Sequence, residues 1–193
     1  MEAIAGKLVL SGVVGGLVVS AITVAGERYG GKLGGLIGGL PSAVMVIYLF
    51  IGWVQGPELA YEGTSGFPLA YTIGMFCVFL YVLLRYSNLT IAALSFVVVW
   101  LVLQTALVLA DFRNYPAGLA ISAAFLCFIL VYLRSRGAEI LELGAGARLR
   151  GLSLPTRVLI GSAVTMAAVL ASGMGGPVVA SVFAAFPGIS FPL

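Results

Sequence analysis

Residues 30–42 read Gly30-Gly31-Lys32-Leu33-Gly34-Gly35-Leu36-Ile37-Gly38-Gly39-Leu40-Pro41-Ser42, and residues 175–188 read Gly175-Gly176-Pro177-Val178-Val179-Ala180-Ser181-Val182-Phe183-Ala184-Ala185-Phe186-Pro187-Gly188. Both open on a glycine pair and run through small and apolar residues to a proline. Each follows another apolar stretch, and those two also start alike, with Lys7-Leu8-Val9-Leu10 and Arg157-Val158-Leu159-Ile160. The pattern predicts a duplicated pair of membrane helices. Paired hydrophobic segments interrupted by Gly and Pro are the sequence mark of transporters built from repeats.

The composition agrees with a membrane chain. Of 193 residues, 61% are hydrophobic and 9% charged, against about 25% charged in soluble domains, and the mean hydropathy is +1.15. The apolar residues fall in blocks of roughly 18 to 23, the length of helix that crosses about 30 Å of hydrocarbon. Nothing alternates as barrel strands do. The net charge of +3 comes from basic residues at the flanks of spans, which read as topology signals, so nucleic acid is not an expected partner. Cys77 and Cys127 lie inside apolar spans and imply no disulfide.

Seven spans are expected, near 8–25, 32–54, 68–86, 89–110, 116–134, 156–173 and 176–193. The segment 55–67 is expected to be a loop. Arg28, Lys32, Arg85, Arg134, Arg136, Arg148, Arg150 and Arg157 fall on one side of this arrangement, and only Lys7 and Arg113 on the other. By the positive-inside rule the N-terminus is outside and loop 135–155 is cytoplasmic.

Five spans precede the second copy, so the helix starting near Arg157 runs opposite to the one starting near Lys7. The expected fold is therefore an all-α integral membrane protein with an inverted internal repeat, helices 1–2 matched by helices 6–7 and the second repeat incomplete. Residues 1–134 form the first unit of five helices, 135–155 a cytoplasmic linker or an interfacial helix, and 156–193 the start of the second unit. Either the chain is part of a ten-helix protein or a seven-helix protein has kept only part of its second unit.

The candidate solute or ion path follows from the glycines and prolines. Gly31, Gly35 and Gly39 form one row of small residues on a helix, with Gly34, Gly38 and Ser42 beside it; Gly176, Ala180, Ala184 and Gly188 repeat the row next to Ser181. Pro41 and Pro187 each free the carbonyl four residues back, at Ile37 and Phe183. An unpaired carbonyl in hydrocarbon costs several kcal/mol and must face a cavity, water or ligand. The path residues are thus Gly34, Gly35, Gly38, Gly39, Pro41, Ser42, Gly176, Ser181, Pro187 and Gly188. Gln104 joins them, as an amide near mid-bilayer that needs partners. There is no histidine, and every Asp and Glu lies at or beyond a span end. No metal, cofactor or catalytic set is expected, and the chain does not read as an enzyme.

The run from Arg28 to Ser42 resembles the second helix of GlpM-type small bacterial membrane proteins, in which a Gly-rich segment also ends in Leu-Pro. That resemblance implies an envelope protein without a defined activity. The five-helix inverted unit is similar in plan to the five-plus-five secondary transporters of the drug/metabolite and bile-acid types. The leading expectation is a secondary carrier of a small solute or ion. An oligomeric channel lined by the same helices is the alternative, and a non-transporting membrane subunit or scaffold a further one. The flat glycine faces also suit a homodimer.

Overall fold

A computed structural model describes residues 2–29, 42–84, 88–144 and 154–185, and among these residues every regular element is a helix. The helices are α1 (Glu2–Tyr29), α2 (Ser42–Val54), α3 (Pro57–Leu84), α4 (Leu89–Leu109), α5 (Tyr115–Gly144) and α6 (Leu154–Ala184). Pro57–Leu84, Leu89–Leu109, Tyr115–Ser135 and Val158–Ala184 are long and apolar enough to cross a membrane, and α1 and α2 carry the shorter apolar runs Gly6–Ile22 and Val44–Val54.

The outer surface calls for a lipid solvent. Leu101, Val102, Leu109, Val131 and Leu159 are all more than half exposed, and only 6% of the 18-residue apolar window within Tyr115–Ser135 is buried inside the molecule. In water each such side chain forgoes about 1.5–3 kcal/mol of burial. A bilayer removes that cost, and the chain is an integral membrane protein.

Local chemistry sets the helix ends. Asn88 caps α4, its side-chain oxygen accepting from the Thr90 N–H at 2.9 Å and the Ile91 N–H at 3.2 Å. Asn114 accepts from the Ala117 N–H at 3.0 Å where α5 begins. Between α2 and α3 the chain needs only Gln55 and Gly56, because Gly56 takes a φ of +112° that side chains resist.

The segment 57–67, expected as a loop, is the first third of α3. Pro57 supplies a first helical residue that needs no N–H partner, and Glu58 sits in the positive first turn. Thr64 and Ser65 return their hydroxyls to the Tyr61 and Glu62 carbonyls, both at 2.6 Å, so polar residues cost the helix little. Pro68 then lies inside the helix. Beyond the fifth span the helix also continues, through Gly144.

α3 is the hub of the molecule, packed against α2, α4, α5 and α6, while α1 packs mainly on α6. One core cluster joins α3, α4 and the end of α6 through Cys77, Tyr81, Phe96, Trp100, Leu107 and Val182. A second joins α2 and α6 through Ile47, Phe50, Ile51, Val169, Ala180 and Ala184.

Candidate functional site

The expected sixth span and the described part of the seventh are one helical run, α6, interrupted at Gly176 with φ +77° and ψ −168°. The contacts show that the chain turns back there. The first arm lies antiparallel to α1, with Gly12 against Met166 and Gly16 against Ser162. At the start of α1 the Lys7 ammonium donates to the Trp53 carbonyl at 3.1 Å, next to the α2–α3 turn. At the same end the Gln55 amide donates to the Val169 carbonyl at 3.2 Å. Carried on straight, residue 181 would stand about 18 Å beyond residue 169, past that turn. Instead Ser181 donates to the Gly63 carbonyl, which lies back along α3. Residues 177–184 therefore return beside α3 as a second arm.

Gly63 accepts a second hydroxyl, from Tyr48 of α2 at 2.8 Å. The approach depends on bare backbone. A Cβ on Gly63 would stand 3.0 Å from the Tyr48 ring and 3.3 Å from the Ala180 methyl and the Pro177 carbonyl, and one on Gly66 would stand 3.0 Å from the Ser181 oxygen. Pro68 has no N–H to offer the Thr64 carbonyl four residues back. One turn on, the Pro68 carbonyl accepts from Thr72 at 2.8 Å and from Ser122 of α5 at 3.0 Å. The Ala70 carbonyl accepts from the Gln104 amide of α4 at 3.0 Å.

Donors from α2, α4, α5 and α6 thus converge on the backbone of α3 around Pro68. Gly63 and Ala70 are seven residues apart, which puts them on one face of α3 about 10 Å from each other. Ser181 and Gln104 mark the two ends of that stretch. Gln104 is 2% exposed, and its side-chain oxygen has no hydrogen-bond partner. Its NH2 group must face the Ala70 carbonyl, so the orphaned atom is the acceptor.

Above this stretch the surface is charged. Arg113 pairs with Asp111 at 2.9 Å and with Glu62 at 3.5 Å. The Asp111 hydrogen bond, ahead of the Coulomb attraction of both carboxylates, holds the guanidinium pKa above its usual value. All three side chains are exposed, so the pairs add little stability.

Of the path residues expected from sequence, the structure brings Ser181 and Gly176 into one arm and sets Gln104 on the same face of α3. Gly34, Gly35, Gly38, Gly39, Pro41, Pro187 and Gly188 lie outside the described residues, as does the Ser42 side chain at the start of α2. Sequence reasoning missed Gln55, Gly63, Gly66 and Pro68 because it placed them in or beside a loop. The available signal was Gly63-x-x-Gly66 ahead of Pro68, a small-residue spacing leading into an apolar run.

The α1–α6 crossing has a further regularity. The Lys7 and Arg157 stretches are offset by 150 residues, and under that offset Gly12 matches Ser162, Gly15 matches Thr165 and Gly16 matches Met166. Gly12 meets Met166, Gly16 meets Ser162, and Gly15 meets Thr165. The pairing is reciprocal, as it is in any antiparallel helix pair compared at a fixed offset. Comparison with protein-family models, with curated proteins and with solved structures finds no match to this chain.

Proposed function

We propose that the chain is a membrane carrier of a small solute or ion, built as an inverted repeat, with the arm after Gly176 as its moving element. The antiparallel packing of the two stretches that start alike, at Lys7 and at Arg157, carries this reading. Two similar helix starts that run in opposite directions are what a pseudo-two-fold axis in the membrane plane requires. Such an axis is the usual basis of alternating access, in which one unit rocks against the other around a central site.

The site in this reading is the face of α3 between Gly63 and Ala70. It offers carbonyls, hydroxyls and one unpartnered amide oxygen, and no buried acid or base. It therefore suits a neutral solute bearing hydrogen-bond donors, or a cation held by neutral oxygens. The second arm of α6 covers it through Ser181, Val178 and Val182. The small face of that arm is occupied inside the molecule, Ala180 on Gly63 and Ala184 in the α2 cluster, which counts against a scaffold that uses the same face to bind other proteins.

The test is flux into proteoliposomes across a panel of sugars, polyols, amino acids and monovalent cations. One solute should enter faster than into empty vesicles, and Gln104→Leu and Gly176→Ala should each slow it by tenfold or more. Flux untouched by both changes removes this site from the mechanism. Single-channel currents far above carrier turnover decide for a channel instead.

A further inference from the structure

We propose that the groove between the last turns of α1 and the first turns of α6 is a binding site for one anionic phospholipid. Its volume is about 490 Å³, and Leu17, Ser20, Val24, Arg28, Tyr29 and Val158 line it. The wall is apolar along one length and basic at one end, the pattern of a site that takes an acyl chain and its headgroup.

Three features point to this occupant. Leu17 and Val24 are exposed, so the apolar wall opens to the acyl region of the bilayer. Arg28 is exposed in the last turn of α1, where a guanidinium can meet a phosphate through two parallel hydrogen bonds. Ser20 lies between them at 3% exposure, and its hydroxyl has no hydrogen-bond partner.

That unpaired hydroxyl separates a lipid site from mere surface charge. Serines in membrane helices usually return their hydroxyl to their own backbone, as Ser11 does to Leu8 at 2.7 Å and Ser172 to Val169 at 2.8 Å. Ser20 sits about 12 Å along the helix from Arg28. Helical side chains lean toward the N-terminus, which brings the guanidinium down toward it. A phospholipid supplies the phosphate for Arg28 and, deeper, an ester carbonyl as acceptor for Ser20. A free phosphate supplies only the first.

The test is native mass spectrometry of the full chain with dioleoylphosphatidylglycerol, dioleoylphosphatidylcholine or inorganic phosphate. The wild-type chain should bind the first phosphatidylglycerol about fivefold more tightly than phosphatidylcholine, as expected for one basic contact. Arg28→Gln should erase that preference. Ala21→Phe, which fills the groove from an exposed position on its wall, should weaken the first binding event for both lipids. Arg134→Gln, at an exposed arginine on α5, should change neither. Equal affinity for the two lipids would overturn the proposal. So would an equal loss of preference in Arg134→Gln, or inorganic phosphate binding as tightly as phosphatidylglycerol.

Discussion

The Ser181 hydroxyl and the Gly63 carbonyl are bonded across 118 residues of chain, and that bond fixes where the second arm of α6 lies. Tyr48 donates to the same oxygen. Ser181→Ala leaves Gly63 with one donor and should cost about 1 kcal/mol. Tyr48→Phe should cost a similar amount, while the double variant leaves a polar junction half satisfied at membrane depth. We expect the double change to exceed the sum of the singles by roughly 1 kcal/mol, read from unfolding midpoints in detergent. Strict additivity would mean that the two hydroxyls act independently and that the arm is held elsewhere.

The α1–α6 crossing sets a second expectation. A methyl on Gly15 would sit 2.6 Å from the Thr165 Cβ and 2.7 Å from its methyl, whereas one on Gly6 would meet nothing within 4 Å. Gly15→Ala should therefore destabilise by about 1–3 kcal/mol, the range for overpacking, and Gly6→Ala should be neutral or slightly stabilising through helix propensity. Thr165→Gly in the Gly15→Ala background should recover part of the loss. Thermal unfolding of the three variants checks this, and no recovery would mean that the helices meet at a different register.

Which features were legible in the sequence follows from which physical signal each one leaves. Length and hydropathy announce spans such as Leu89–Leu109, because a lipid-facing helix must be apolar on most sides. Gly12, Gly15 and Gly16 were not singled out, because glycines in an apolar helix do not name the partner they pack on; the structure sets them against Met166, Thr165 and Ser162. The helix from Pro57 stayed hidden because Glu58, Glu62, Thr64 and Ser65 each read as loop residues, and only the structure shows the hydroxyls bonded within the helix and Pro68 in its interior rather than at its start. Ser181 and Gln104 could be picked out as polar groups at membrane depth. Their common acceptor element could not, since a backbone carbonyl leaves no trace in sequence.

Gly176 is the hinge of the turn back and has a backbone conformation that side chains resist. Gly176→Ala should cost about 1–3 kcal/mol of backbone strain, concentrated in the second arm. Gly173→Ala differs, since the three atoms nearest its Cβ all belong to the Gln55 side-chain end, at 2.3–2.7 Å, and a flexible amide can swing away. Hydrogen exchange should then show faster amide exchange over 177–184 in Gly176→Ala, with little change there in Gly173→Ala. Equal protection of that arm in wild type and Gly176→Ala would contradict a strained hinge.

The proposed orientation, with the N-terminus outside, also places the turn back at Gly176 on the outer face, beside Gln55 and Arg113. Arg28 and Arg134 would then mark the inner face, in keeping with the positive-inside rule. Met174 is 90% exposed at the tip, and Arg134 is exposed near the opposite end of α5. In a Cys77→Ala, Cys127→Ala background, Met174→Cys should react with a membrane-impermeant maleimide added to intact cells, as should Asn114→Cys in the turn before α5. Arg134→Cys should react only after the membrane is opened. The reverse pattern at all three positions would invert the assignment while leaving the helix packing untouched. Labelling of Met174→Cys and Arg134→Cys from the same side would break the antiparallel arrangement of α5 and the first arm of α6 across the bilayer.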